Sequence, residues 1–169
     1  MEQLYRSMPD RLRAYGITQH TLRQLRVHRD FVLSVLPDVV DLFIRHVTAR
    51  PQLAAFFTSQ PVVAHVREKQ MAHWSLLVHA EFGQDYVSSV QAMGRTHNRI
   101  GLSPKLYIEG YNLMLKTVCS ALAARRNAGG RTPSISAILG IQQALTACMM
   151  MDMDYVIEVY EEADNTILF

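Results

Sequence analysis

The sequence predicts an all-α protein, and three features carry that prediction. Apolar residues recur at steps of three and four along almost every segment, almost none alternates with period two, and proline or glycine stands where one periodic run gives way to the next. At 169 residues and 49% hydrophobic composition the chain fits a single domain with its own core, without internal repeat or linker. Residues 1–17 are loosely patterned and read as an N-terminal extension to a core spanning 18–166.

Thr18 can cap the first helix, whose apolar positions are Leu22, Leu25, Phe31 and Val35 and which ends before Pro37. A second helix from Pro37 to about Ala49 carries Val40, Phe43, Ile44 and Val47 on one side. Pro51 then forces a break and a short turn holding Phe56 and Phe57. Ser59, with Pro61 in the first turn, opens a long helix through Val66, Met71, Trp74 and Val78. The next helix, Gln84 to Ile100, places Tyr86, Val90, Met93, His97 and Ile100 on an inward stripe, and Gly101 stops it. Ser103-Pro104 starts a helix to about Arg126, where Arg125 and Arg126 complement the end of the helix dipole. Thr132-Pro133 repeats the start signal for a last helix reaching about Asp164, roughly 50 Å long at 1.5 Å per residue. Its tail from Asp152 to Asp164 holds six acidic residues and no Lys or Arg, which predicts solvated last turns. The methionines Met149, Met150, Met151 and Met153 wrap more than one face, which core filling explains in part and cover of a second side by a twofold partner would complete.

Charge and composition exclude several functions. Seventeen basic against fifteen acidic residues leave a net charge of +2, well short of a nucleic-acid surface. Cys119 and Cys148 lie in apolar helical runs without metal-ligand spacing, as expected of a reducing, intracellular setting. No charge interrupts Thr132 to Met151, about the length of a membrane span, but Ser134, Ser136, Gln142, Gln143 and Thr146 are costly in hydrocarbon. A buried interface helix is the expectation there, with no membrane insertion. Arg6, Arg11 and Arg13 interrupt any signal-peptide core, so the expected location is cytoplasmic. There is no nucleophile-and-base pair, phosphate loop or pair of inward carboxylates, so no catalytic residue and no enzymatic activity is expected. His20, His28, His46 and His79 are scattered and read as surface residues.

That leaves His97, inward on an apolar face. Such a histidine is often a core residue bonded to backbone, and on pattern alone both that role and a ligand role stay open. Gly94-Arg95-Thr96-His97-Asn98-Arg99-Ile100-Gly101-Leu102-Ser103-Pro104-Lys105-Leu106-Tyr107 resembles the proximal segment of the globin-coupled sensors, haem domains related to protoglobins. Trp74 in the long fourth helix and Met151-Asp152-Met153-Asp154-Tyr155-Val156-Ile157 in the last agree with that family, and the likeness runs from about Leu25 to Asp164. It implies a globin fold of six or seven helices with the long last helices forming a dimer interface. It also implies a haem b (iron protoporphyrin IX) whose iron is bound by His97. Phe43, Ile44, Phe57, Lys69, Gln70, His73, Trp74, Met93, Ile100, Tyr107 and Tyr111 are the residues expected around it. Tyr107 matches a tyrosine that can meet the ligand histidine on the proximal side in related aerotaxis transducers, and a core tyrosine with a satisfied hydroxyl is its other reading.

On the distal side the chain departs from those relatives. Many carry a tyrosine seven residues before the proline that follows the second helix; here that count from Pro51 gives Ile44, beside Phe43. Five residues before the tryptophan, where Ser or Thr is common, stands Lys69, followed by Gln70 and flanked one turn away by His65 and His73. An apolar pocket would release oxygen quickly, lacking a hydrogen bond worth about 1 kcal/mol. Lys69 or Gln70 turned inward would supply a donor, and His65 or His73 reaching the iron would leave gas to displace it.

The resemblance therefore implies a sensor of diatomic gas (oxygen, NO or CO) that signals through a helical homodimer to a C-terminal output module of the methyl-accepting, kinase or cyclase kind, absent from this chain. A globin-like interaction module without haem is the alternative from another class. An NO-dioxygenating role with a reductase partner is a third.

Overall fold

A computed structural model of the chain describes residues 7–127 and 132–166. Among the described residues there are nine helical segments: α1 Met8–Ala14, α2 Gln19–Val27, α3 Arg29–Leu33, α4 Leu36–Thr48, α5 Pro51–Ala54, α6 Gln60–His79, α7 Gln84–Arg99, α8 Pro104–Asn127 and α9 Ile135–Thr166. The number exceeds six or seven for three reasons. A helix forms at α1, the helix expected from Thr18 to Pro37 breaks at His28, and the turn after Pro51 closes into α5.

Local chemistry accounts for most boundaries. Thr18 and Thr21 exchange side-chain and backbone hydrogen bonds of 3.2 and 3.3 Å, a reciprocal cap on α2. Proline stands in the first turn of α4, α5 and α6, where its missing N–H costs nothing. Gly101 adopts φ +75°, the left-handed conformation that ends α7 and lets the Leu102 N–H donate to the His97 carbonyl at 3.0 Å. The last helix starts at Ile135 rather than at Thr132-Pro133, because Ser134 supplies the cap, its Oγ accepting from the Ala137 N–H at 3.2 Å.

The long α9 packs against α2, α7 and α8, and α4 fills the other side between α6 and α8. Ile141, Leu145, Met149, Met151 and Val156 of α9 are fully buried together with Leu25, Leu36, Val40, Leu77 and Leu122. Met149 and Met151 thus fill this chain's own core and need no second copy to cover them. By length and composition Ile135–Ala163 could cross a membrane; in the fold 44% of its most apolar stretch is buried inside the chain.

The acidic tail corrects another expectation. Asp152 is 1% exposed, and Asp154 and Glu158 both pair with Arg11 of α1, the latter at 2.6 Å. The Arg11 guanidinium also lies 3.8 Å over the Tyr155 ring. Residues 8–14 therefore dock on the middle of α9. Charge spacing alone suggests solvent for α9 because the neutralising cation arrives from more than 140 residues away in sequence.

Candidate functional site

The corner between α7 and α8 positions the chemistry. Gly101 turns the chain, Pro104 restarts it, and the Tyr160 hydroxyl of α9 donates to the Leu102 carbonyl at 2.6 Å, pinning the corner to the core. His97, one turn before the break, then faces a cavity of about 130 Å³. Its walls are Phe43 and Val47 of α4, Leu53, Phe56 and Phe57 around α5, and Val66, Gln70 and Trp74 of α6. Ile100 and Leu102 at the corner and Leu106, Tyr107, Gly110, Tyr111 and Met114 of α8 close it. A second cavity of about 330 Å³ lies between α6 and α7, lined by His65, Val66, Lys69, Gln70, His73, Ser89, Ala92, Met93, Thr96 and His97. The two share Val66, Gln70 and His97.

His97 Nδ1 is buried without a hydrogen-bond partner. Burial pushes the ring's pKa down to about 4, which keeps it neutral at ordinary pH and able to offer a lone pair. Its ring centroid stands 5.1 Å from that of Tyr107, and Tyr107 stands 4.8 Å from Tyr111, one helical turn on. The Tyr107 hydroxyl is buried without a well-formed hydrogen bond, with the Tyr111 hydroxyl near enough to act on it. Burial raises both phenols well above their ordinary range, so both stay protonated. Tyr111 donates to Oδ2 of Asp152 at 3.2 Å. The same carboxyl group accepts a short hydrogen bond from Tyr86 and lies 2.7 Å from His73 Nε2. Burial works to lower the His73 pKa, but the charge and hydrogen bond of Asp152 outweigh it and the net shift is upward.

Of the residues singled out in the sequence, Phe43, Phe57, Gln70, Trp74, His97, Ile100, Tyr107 and Tyr111 line the first cavity. Lys69, His73 and Met93 line the second with Gln70 and His97. Ile44 lines neither; it is packed in the core, because adjacent helical positions point about 100° apart and Phe43 is the one turned toward α8. His73 is held by Asp152 through Nε2, while its Nδ1 is buried without a hydrogen-bond partner beside the second cavity. His65 and Lys69 are exposed at the mouth of the second cavity. Sequence reasoning missed Leu53, Phe56, Val66 and Leu102 as wall residues, and also Val47, Leu106, Gly110 and Met114, each of which sits three or four residues from another wall residue on the same helix. It also missed Asp152, whose position four after Cys148 and four before Val156 lies on the buried stripe of α9.

A family model described as Protoglobin matches residues 4–166. The chain belongs to the Protoglobin family. In structure this protoglobin chain is similar to the globin domain of the Geobacter sulfurreducens globin-coupled sensor, with a TM-score of 0.78 over 90% of this chain and 97% of that one. Sequence identity between them is 16%, so the likeness is one of fold, the globin fold. No curated protein matches the chain in sequence.

Globins hold haem through an imidazole set in an apolar crevice, and this protoglobin offers matching parts. A neutral, half-buried histidine with one shielded, unpartnered nitrogen stands among Phe43, Phe57, Trp74, Ile100 and Leu106. The first cavity alone is smaller than the roughly 300–1,000 Å³ of cofactor sites. The second adjoins it at Val66, Gln70 and His97, so both spaces border the His97 ring.

Proposed function

We propose that this globin domain is a haem-based sensor of diatomic gas, with haem b held by His97. The observation that carries the reading is the state of that imidazole: half-buried, neutral, with Nδ1 shielded and unpartnered, at the wall shared by both cavities. When bound, haem supplies an iron atom whose second face takes up a small gas molecule. The chain's own residues do the rest. Phe43, Phe57, Val66 and Trp74 exclude water from one side of the cleft, and Gln70 is the polar side chain among the α4–α6 wall residues. Lys69 lines the outer cavity beside His65, and its ammonium group suits the carboxylates of the porphyrin edge.

Signalling requires that occupied and empty states differ in packing. His97 rides on α7, and α7 meets α9 across Gly94, whose ideal Cβ position lies 3.1 Å from Val159. A shift of α7 therefore displaces α9 rather than being absorbed in a loose contact. The finer reading is a cytoplasmic homodimer through α8 and α9, with an output module of the methyl-accepting, kinase or cyclase kind beyond α9. Exposed Ile108, Ile135 and Leu139 on those two helices support such a contact.

The test is the absorption spectrum of the reduced, haem-reconstituted chain with and without oxygen, NO and CO. The reading expects a Soret band that each binding gas displaces. A chain that takes up no haem leaves the interaction-module reading in its place.

A further inference from the structure

Asp152 is the meeting point of four helices. Its carboxyl group, on α9, faces the Tyr86 hydroxyl from α7, the Tyr111 hydroxyl from α8 and the His73 imidazole from α6. Burying a carboxyl group is expensive, and three polar partners are the means by which this core accommodates one. The partners are not equivalent. Tyr86 occupies Oδ1 and His73 shares Oδ2 with Tyr111, and of the three only Tyr111 lines the first cavity.

From Tyr111 a line of rings runs to the candidate ligand, through Tyr107 at 4.8 Å to His97 at 5.1 Å. Neither the Tyr107 hydroxyl nor His97 Nδ1 has a hydrogen bond that fixes its ring. Their orientation is therefore set by packing against the next ring in the line, and that ring is the one anchored to α9. We propose that Asp152 is a positioning residue for the His97 imidazole, acting through the Tyr111 hydroxyl and the Tyr107 ring. This rests on the haem reading for its purpose, but the link between Asp152 and the His97 ring belongs to the chain itself. It gives the last helix a direct hold on the ligand, separate from the Gly94 contact.

The experiment compares Tyr111→Phe, Tyr86→Phe and Asp152→Asn. In the haem-free chain, the readout is the NMR shift of the His97 ring. In the haem-loaded chain, the readouts are the iron–histidine stretching band and haem affinity. Tyr111→Phe and Asp152→Asn are expected to move the His97 ring resonance and the stretching band, and to weaken haem binding about tenfold, as losses of a ligand's supporting partners do. Tyr86→Phe, which loosens the same carboxyl group off the line, is expected to lower stability and leave both His97 signals in place. Equal shifts in Tyr86→Phe and Tyr111→Phe, or an unmoved His97 ring in Tyr111→Phe, would overturn the proposal; the tyrosine pair decides it even where Asp152→Asn does not fold. His97→Ala with undiminished haem affinity would sink the haem reading instead, while the haem-free resonance still reports on Asp152.

Discussion

Gly94 of α7 and Val159 of α9 approach so closely that an added Cβ at 94 would lie 3.1 Å from the Val159 Cβ and 3.4 Å from the Val156 Cα. Neither atom can swing aside, since both are fixed to the α9 backbone. Gly94→Ala must therefore spread the two helices. Overpacking of about 1–3 kcal/mol outweighs the roughly 1 kcal/mol gained in helix propensity, for a net loss of about 1 kcal/mol in urea unfolding. Gly110→Ala is the contrast: its Cβ would meet Phe43 at an ordinary 3.8 Å, and stability should rise. A Gly94→Ala chain as stable as the wild type would show that the α7–α9 contact has slack.

Phe43 lines the first cavity and Ile44 does not. Phe43→Tyr should add a hydroxyl at the cavity wall and slow oxygen release about fivefold, the worth of about 1 kcal/mol from one hydrogen bond. Ile44→Tyr should leave the release rate unchanged and lower stability by overpacking, about 1–3 kcal/mol. Stopped-flow oxygen release from both variants separates the positions; slowing by Ile44→Tyr alone would reverse the assignment.

His97 and His73 give the haem-free chain opposite pH dependences. His97 titrates near 6.5 when unfolded and about 4 when folded, so the unfolded chain binds the extra proton between those values. Stability contributed by a neutral His97 is then lost as pH falls through that window, by about 3 kcal/mol in all. His73 has the reverse sign. Its folded pKa is raised, so its contribution with Asp152 is full below about 6.5 and is lost as pH rises through the folded value. Urea midpoints from pH 4 to 9 should show a flatter acid limb in His97→Leu and a flatter alkaline limb in His73→Gln. Parallel curves for all three proteins would contradict both assignments.

Arg11 joins α1 to α9 by two ion pairs and a ring contact. The paired carboxylates keep 22% and 27% side-chain exposure, so water compensates part of their loss. Arg11→Ala is expected to cost about 2 kcal/mol and to increase hydrogen exchange in the middle of α9. No change in exchange there would mean that α1 does not hold α9.

Much of the fold is legible in the sequence because its boundaries are chemical. Thr18, Pro37, Pro51, Gly101 and Pro104 each do locally what their type allows, and the helices begin or end beside them. The cavity wall is legible where residues repeat on a helical face, as with Trp74, His97 and Tyr107. What escapes is long-range. The pairing of Arg11 with Asp154 and Glu158, and the gathering of His73, Tyr86 and Tyr111 on Asp152, join segments 41 to 147 residues apart, and no local period encodes them. An acidic run therefore reads as solvated although part of it lies in the core. Ile44 fails for a smaller reason, a one-residue offset, which on a helix turns a side chain from the cavity to the core.

Haem titration of the wild-type chain and of His97→Ala, followed by Soret absorbance with circular dichroism on the same samples, tests the axial-ligand assignment most directly. One haem per chain is expected in the wild type. In the variant, affinity should fall by more than about 100-fold, beyond the effect of losing a ligand's supporting partner, while helicity is retained. An unaltered Soret band and affinity in His97→Ala would show that the iron is held elsewhere.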